Sequence, residues 1–381
     1  MRMIYLDNAA TTKLDPKVLK AMLPYFTEKY GNASSTHTKG REAREALERS
    51  RRIIAKSIGA KPQEIIFTSG GTESNNFALK AIAFNNKHRG NHIITTKIEH
   101  ECVLQTCKWL ETQGFKVTYL DVDKEGFVSP QDLEKAIKDN TILVSIIQGN
   151  NEIGTIQDLK ALGGVCGEHN VYFHTDACQS YTKTELNVNK MRLDLVTLNA
   201  HKIHGPKGIG ALYIRKGTNI SAWQHGGGHE RNLRSGTENI HGIVGFAEAV
   251  KLGMNKKHIK HMTRLRDKLI EGVLSIPGVR LNGPTGDKRL CNNANFAFKK
   301  IEGEAIGGYL DLKGVCSSTG SACSTHSLEP SHVLQAIGLS KIDANGSLRL
   351  SLSRFTTEEE IDYVLKVLPG IVKKLRMISP L

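Results

Sequence analysis

The run Thr141–Gln148, TILVSIIQ, constrains this chain more than any other stretch. It is continuous and largely apolar, so both faces of the strand it predicts must be covered. That is the condition of a strand inside a sheet with helices on either side. Similar short runs occur at Glu64–Ser69, His92–Lys97, Phe115–Leu120, Val171–Phe173, Leu193–Leu198 and Ile209–Ile214. Helical patterns lie between them over 41–58, 101–113 and 158–169. This order predicts an α/β fold with a mostly parallel central sheet flanked by helices. A long helix is expected from Ile243 to about Glu271. From Pro277 the pattern shifts to short strands and turns (VRLNGP, NNANFAF), which reads as a smaller α+β C-terminal domain. The 381 residues therefore divide into a large domain, 15–260, and a small one built from 1–14 and 261–381.

Composition excludes several classes. No run of 18 apolar residues occurs, so no membrane span is expected. The segment MRMIYLDNAATT has no apolar leader core, which predicts a cytoplasmic protein. Seven cysteines, an odd number without a CxxC pair, suggest neither a disulfide framework nor a structural zinc site. The net charge of +14 favours anionic ligands or an acidic partner. No basic patch interleaved with aromatics appears, so no direct nucleic-acid contact is expected.

Chemistry-bearing residues gather where the predicted strands end. Between Leu193–Leu198 and Ile209–Ile214 lies a loop holding His201, Lys202, His204 and several glycines. Upstream, HTDACQ places Asp176 and Gln179 after another apolar run. A lysine able to form a Schiff base, with an acid to pair with a pyridinium nitrogen, is the arrangement pyridoxal phosphate needs. The turn GGTESNN, Gly70–Asn76, precedes a helical pattern and makes a ready anion site. His100 and Asn151 follow two other strand ends. Cys323 sits in a loop of Ser, Thr and Gly that cannot pack a core, whereas Cys178 reads as packing and Cys316 as structural. Arg349 alternates with Leu348 and Leu350, and its guanidinium suits an amino-acid carboxylate; Arg354 is the reserve candidate.

HxDxxQ at His174–Gln179 followed by AHKIHGPKGIG at Ala200–Gly210 resembles the cysteine desulfurases of the NifS/IscS type, class-V aminotransferases of pyridoxal-phosphate fold type I. The resemblance runs from YLDNAATT at Tyr5 to LSLSRFTTEEEID at Asp362. It implies a homodimer that converts L-cysteine to L-alanine and passes a Cys323 persulfide to an iron–sulfur (IscU-like) scaffold protein or another acceptor. Lys202 would carry the cofactor, with Gly71, Thr72, His100, Asn151, Asp176, Gln179, Asn199 and His201 around it. Thr237, near Arg234, would reach the phosphate in the neighbouring subunit. Asn32 and His37 would lie near the substrate, and His326 or His100 would assist the Cys323 thiol, itself a transient iron–sulfur ligand in the scaffold complex. Asn199 departs from the family's usual Ser or Thr, and the short C-terminus departs from relatives whose tail helps dock the scaffold. A selenocysteine lyase, a class-V aminotransferase and a cofactor-poor partner-binding protein are the alternatives.

Overall fold

The computed structural model describes residues 3–319 and 330–379. Its strands are β1 (Ile4–Tyr5), β2 (Ile65–Thr68), β3 (His92–Thr96), β4 (Lys116–Leu120), β5 (Thr141–Ser145), β6 (Tyr172–Asp176), β7 (Leu195–Asn199), β8 (Gly210–Ile214), β9 (Val279–Leu281), β10 (Asn293–Phe298), β11 (Val315–Cys316) and β12 (Ser347–Ser351).

Seven of them form one sheet in the order β2-β8-β7-β6-β5-β3-β4. Only β8 runs against its neighbours, pairing antiparallel with β2 and β7. Neighbouring residues on a strand enter different cores, because side chains alternate across a sheet. Leu143 and Leu195 pack on one face, Val144 and Val196 on the other. Every residue of β2, β3, β5, β7 and β8 is buried. The edge strand β4 differs: it starts with an exposed Lys116, a charge that discourages further pairing.

A second, antiparallel sheet has the order β12-β10-β9. Leu348, Leu350, Phe296 and Phe298 join Leu265, Leu269, Leu368 and Val372 in its core. The last two come from the helix Glu358–Ile378, whose first turn is closed by a reciprocal cap between Thr357 and Glu360. The expected helix from Ile243 to Glu271 is in fact two helices, Ile240–Gly253 and Lys256–Leu274. Asn255 makes the break: its Oδ1 accepts from the Lys257 amide at 3.0 Å and starts the second helix as a cap. No helix among the described residues is long and apolar enough to cross a membrane.

The N-terminal segment links both sheets. β1 runs parallel to β11, and Asp7 bridges to Ser351 on β12. Five residues later, the Thr12 amide donates to the His201 carbonyl at 3.0 Å.

Candidate active site

Asp176 ends β6, Asn199 ends β7, and His100 and Asn151 follow β3 and β5, so one end of the sheet collects these side chains. Asp176 is buried and fixed on both oxygens: Oδ1 accepts from the Cys178 amide at 2.8 Å and Oδ2 from Asn75 Nδ2 at 2.7 Å. Asn75 was not singled out in the sequence. The signal was its place four residues after Gly71, on the same face of the helix Gly71–Asn85.

The loop after β7 brings Lys202 to the N-terminal segment. Its Nζ donates to the Ala9 carbonyl and, at 2.7 Å, to that of Ala10. Gln179 Nε2 donates to the same Ala9 carbonyl at 2.8 Å. His201 Nδ1 lies 3.1 Å from Thr11 Oγ1, and burial, followed by the charge of Lys202, pushes its pKa down to about 4. His100 caps the helix Glu101–Thr112, its Nδ1 accepting from the Cys102 amide at 3.2 Å. Burial lowers its pKa against the pull of Asp176, which favours a neutral ring protonated at Nε2.

At the glycine turn, a Cβ on Gly71 would stand 2.6 Å from Cys178 Sγ, and Gly70 lies in the left-handed region at φ 159°. Only glycines let the chain enter the helix this tightly. The Asn199 amide nitrogen lies 3.5 Å from that Cβ position, and its buried Oδ1 has no hydrogen-bond partner among the described residues. Arg234 grips Glu73 in the first turn at 2.9 and 3.3 Å. Burial alone would raise the Glu73 carboxyl, but the bonds from Arg234 and Ser69 hold it below its ordinary range. Cys102 and Cys178 are thiols pushed upward by burial, Cys102 to about 12, so neither is poised as a nucleophile.

The two arginine candidates separate cleanly. Arg354 is spent on Asp15, 2.5 Å away, with both side chains buried. Arg349 holds Asp7 at 3.0 Å and the Asn151 carbonyl at 3.0 Å, while its buried Nε has no partner among the described residues. Cys323 and His326 lie outside the described residues. The flanks of that segment are placed, however. Ser318 exchanges backbone hydrogen bonds with Arg349, and Ser331 Oγ donates to Glu152, next to Asn151, at 2.5 Å. Asn32, His37 and Thr237 are exposed. Asn32 closes a turn on Ser34, and His37 caps the helix Thr38–Ser57. Among the described residues, no group of three or more His, Cys, Asp or Glu is placed to hold a metal ion.

Glu99, also not singled out in the sequence, is a fully buried acid beside this site. Its Oε1 accepts from Thr96 Oγ1 and the Ile147 amide, both at 2.8 Å, and its Oε2 has no partner among the described residues. Burial, aided by the nearby charge of Asp176, pushes its pKa up to about 8. The folded chain thus keeps a proton that the unfolded chain releases near pH 4.5, and stability falls as pH rises between these values. Glu99→Gln is expected to be more stable than the parent near pH 8 by a few kcal/mol, at roughly 1.4 kcal/mol per pKa unit. The gain should shrink toward about pH 5. Denaturant unfolding at both pH values checks this, and a pH-independent difference would refute it.

Residues 4–364 match the family described as aminotransferase class-V. A cysteine desulfurase IscS from Dictyoglomus turgidum is 53% identical, the alignment covering 100% of this chain and 97% of the relative. A solved NifS-like protein superposes with a TM-score of 0.92 at 41% identity, covering 98% of this chain and 100% of the other. A structure titled SspA in complex with cysteine gives a TM-score of 0.83 at 38% identity, covering 93% and 100%.

Proposed function

The chain belongs to the class-V aminotransferase family, and we propose that within it the protein is a cysteine desulfurase, using pyridoxal phosphate to convert L-cysteine to L-alanine with transient storage of the sulfur on Cys323. One observation carries this reading beyond the similarity. Both flanks of the Cys323 segment are tied beside Arg349 and Asn151, at the place suited to a substrate carboxylate. A simple aminotransferase has no use for a thiol delivered there.

The residues present fit the cofactor. The glycine turn offers backbone N–H groups, and the Asn199 side-chain nitrogen, a donor, lies 3.5 Å from the Cβ position of Gly71. Thr72 and His201 would join Gly71 and Asn199 at the phosphate, Asp176 would face the ring nitrogen, Gln179 and Asn151 the phenolic oxygen, and His100 the ring face. When bound, pyridoxal phosphate supplies an electron-withdrawing ring that stabilises negative charge at the substrate Cα. The chain does the rest. Asn75 and the Cys178 amide keep Asp176 aimed. Lys202 Nζ takes the Cα proton, with His100 beside it. Arg349 grips the substrate carboxylate. The Cys323 thiolate attacks the substrate sulfur: an S–S bond forms, the C–S bond breaks with its electron pair left on carbon, and protonation of that carbon, with return of the proton from Lys202 to Cα, yields alanine. A homodimer with shared sites is the proposed assembly, in which a second copy would contribute Thr237, an exposed residue. A cytoplasmic iron–sulfur scaffold is the proposed sulfur acceptor.

The test is to load the purified protein with pyridoxal phosphate, add L-cysteine and a thiol reductant, and quantify alanine and sulfide. Equal amounts of both, over many turnovers, are expected. Transamination of cysteine without sulfide release would overturn the proposal.

The two arginines give a further check. Arg349→Ala is expected to raise KM for L-cysteine by about 100-fold, the loss of a charge-assisted pair worth 2–5 kcal/mol. Arg354→Ala should leave KM near the parent value and lower stability by about 3–5 kcal/mol, because it strands a buried Asp15. Steady-state kinetics and denaturant unfolding distinguish them. The reverse pattern would return the carboxylate role to Arg354.

A further inference from the structure

Away from the cofactor cleft, a cavity of about 440 Å³ opens between the start of the helix Leu159–Glu168, the helix Lys256–Leu274 and the segment 286–291. Its wall carries five cations: Lys160, Lys183, Lys190, Arg266 and Arg289. Arg266 and Arg289 are almost wholly buried, at 1% and 2% exposure. Three carboxylates line the same wall, but two are already engaged. Glu185 is held by Lys190 at 2.8 Å, and Asp158 caps the helix that follows it. Asp287 is the remaining one.

Three of the cations, the exposed Lys160 together with Lys183 and Arg289, have no carboxylate within ion-pair distance among the described residues. Arg289 spends its guanidinium on neutral oxygens, the carbonyls of Pro284 and Asn282 and the side chain of Asn293. Lys183 Nζ donates to the Gln179 carbonyl at 2.8 Å and the Lys202 carbonyl at 3.3 Å. An ammonium has three donors, so one of them is left over. Burial pushes Lys183 down to about 8 and Arg289 to about 9, the mark of positive charge without full compensation. The volume suits a small metabolite rather than a lone monovalent ion.

We infer that this cavity is a binding site for a small dianion of phosphate or dicarboxylate chemistry, whose presence Lys183 transmits to Lys202 and Gln179. The transmission rests on the reading of Lys202 as the cofactor lysine. The same ammonium touches the backbone of both cofactor residues and the cavity. An anion that draws Lys183 toward itself loosens the hold on those two carbonyls, and by reciprocity the state of Lys202 alters anion affinity.

The test titrates the cofactor-loaded enzyme with inorganic phosphate and, separately, with malonate, against chloride at equal ionic strength. Loading first fills the cofactor's own phosphate turn. Calorimetry and the cofactor absorption band are followed together. Saturable binding of one anion per chain is expected for at least one probe, with a shift of the band. Which probe binds distinguishes the phosphate from the dicarboxylate source. Lys183→Met is expected to weaken binding by about tenfold or more and to remove the band shift, since a hydrogen bond to a charged group is worth about 1.5–3 kcal/mol. Lys160→Ala, an exposed position whose loss leaves the core intact, should also weaken binding. Unsaturable binding of both probes, or unchanged affinity in both variants, would overturn the inference. A protein that never acquires a cofactor band would instead count against the cofactor reading, and the calorimetric comparison of the variants would still decide the cavity.

Discussion

Lys202→Ala is expected to cut alanine formation from L-cysteine by about 10³-fold or more. Two losses combine. Removing a positioned proton carrier costs roughly 10²–10⁴-fold, and the covalent anchor for the cofactor disappears with it. The fold should survive the change. Lys202 is only half-buried, its bonds go to the carbonyls of Ala9 and Ala10, and Gln179 still donates to Ala9. The measurement is therefore threefold: thermal unfolding, cofactor content after gel filtration, and alanine yield with excess pyridoxal phosphate. Intact unfolding with lost cofactor retention and lost turnover is the expected pattern. Turnover within tenfold of the parent at saturating cofactor would remove Lys202 from the chemistry.

Cys323→Ser should be as damaging to turnover, on the order of 10³-fold or more, for a different reason. A thiolate is the nucleophile that attacks divalent sulfur, and a serine hydroxyl is scarcely ionised near neutrality. The variant keeps Lys202, Asp176 and Arg349. L-Cysteine should still bind and perturb the cofactor band, yet neither alanine nor sulfide should accumulate. The contrast between the two variants is diagnostic: one loses the band, the other keeps it and stalls. A Cys323→Ser enzyme that still releases sulfide at the parent rate would remove Cys323 from the mechanism.

Much of this was readable from residue order, for identifiable reasons. Strands such as Thr141–Ser145 are buried on both faces, and that demand is written into their apolarity. Lys202 and Asp176 lie in polar motifs that end apolar strands, where α/β sheets place their ligands. What could not be read depends on contacts across the chain. The direction of β8 leaves no mark, because Ile209–Ile214 is as apolar as its parallel neighbours. Asn75 holds Asp176 from 101 residues away, and the charge of Asp176 reaches Glu99 across a gap of 77 residues in the sequence. The pairing of Arg354 with Asp15, a residue with no visible link to it in the sequence, is likewise a contact across the chain. Asn255 stands two residues after Gly253, and the helical periodicity on both sides concealed its capping role.

The N-terminal segment has a consequence for how the protein is made. Ile4 and Tyr5 pair with Val315 and Cys316, Asn8 donates to the Ser351 carbonyl, and the Ala9 amide donates to the Ser351 hydroxyl. Those partners are translated more than 300 residues later. The carbonyls of Ala9 and Ala10, which steady Lys202, are held from the other side by this ladder. Ribosomal synthesis at about 5–20 residues per second leaves the segment waiting for tens of seconds. The large sheet has all its strands once Ile214 has emerged, but Lys202 acquires its final setting only after Ser351 has been made. Closure of so long a loop is a late event in folding. Nascent chains should therefore be able to hide their main core from proteases well before they can hold a cofactor firmly.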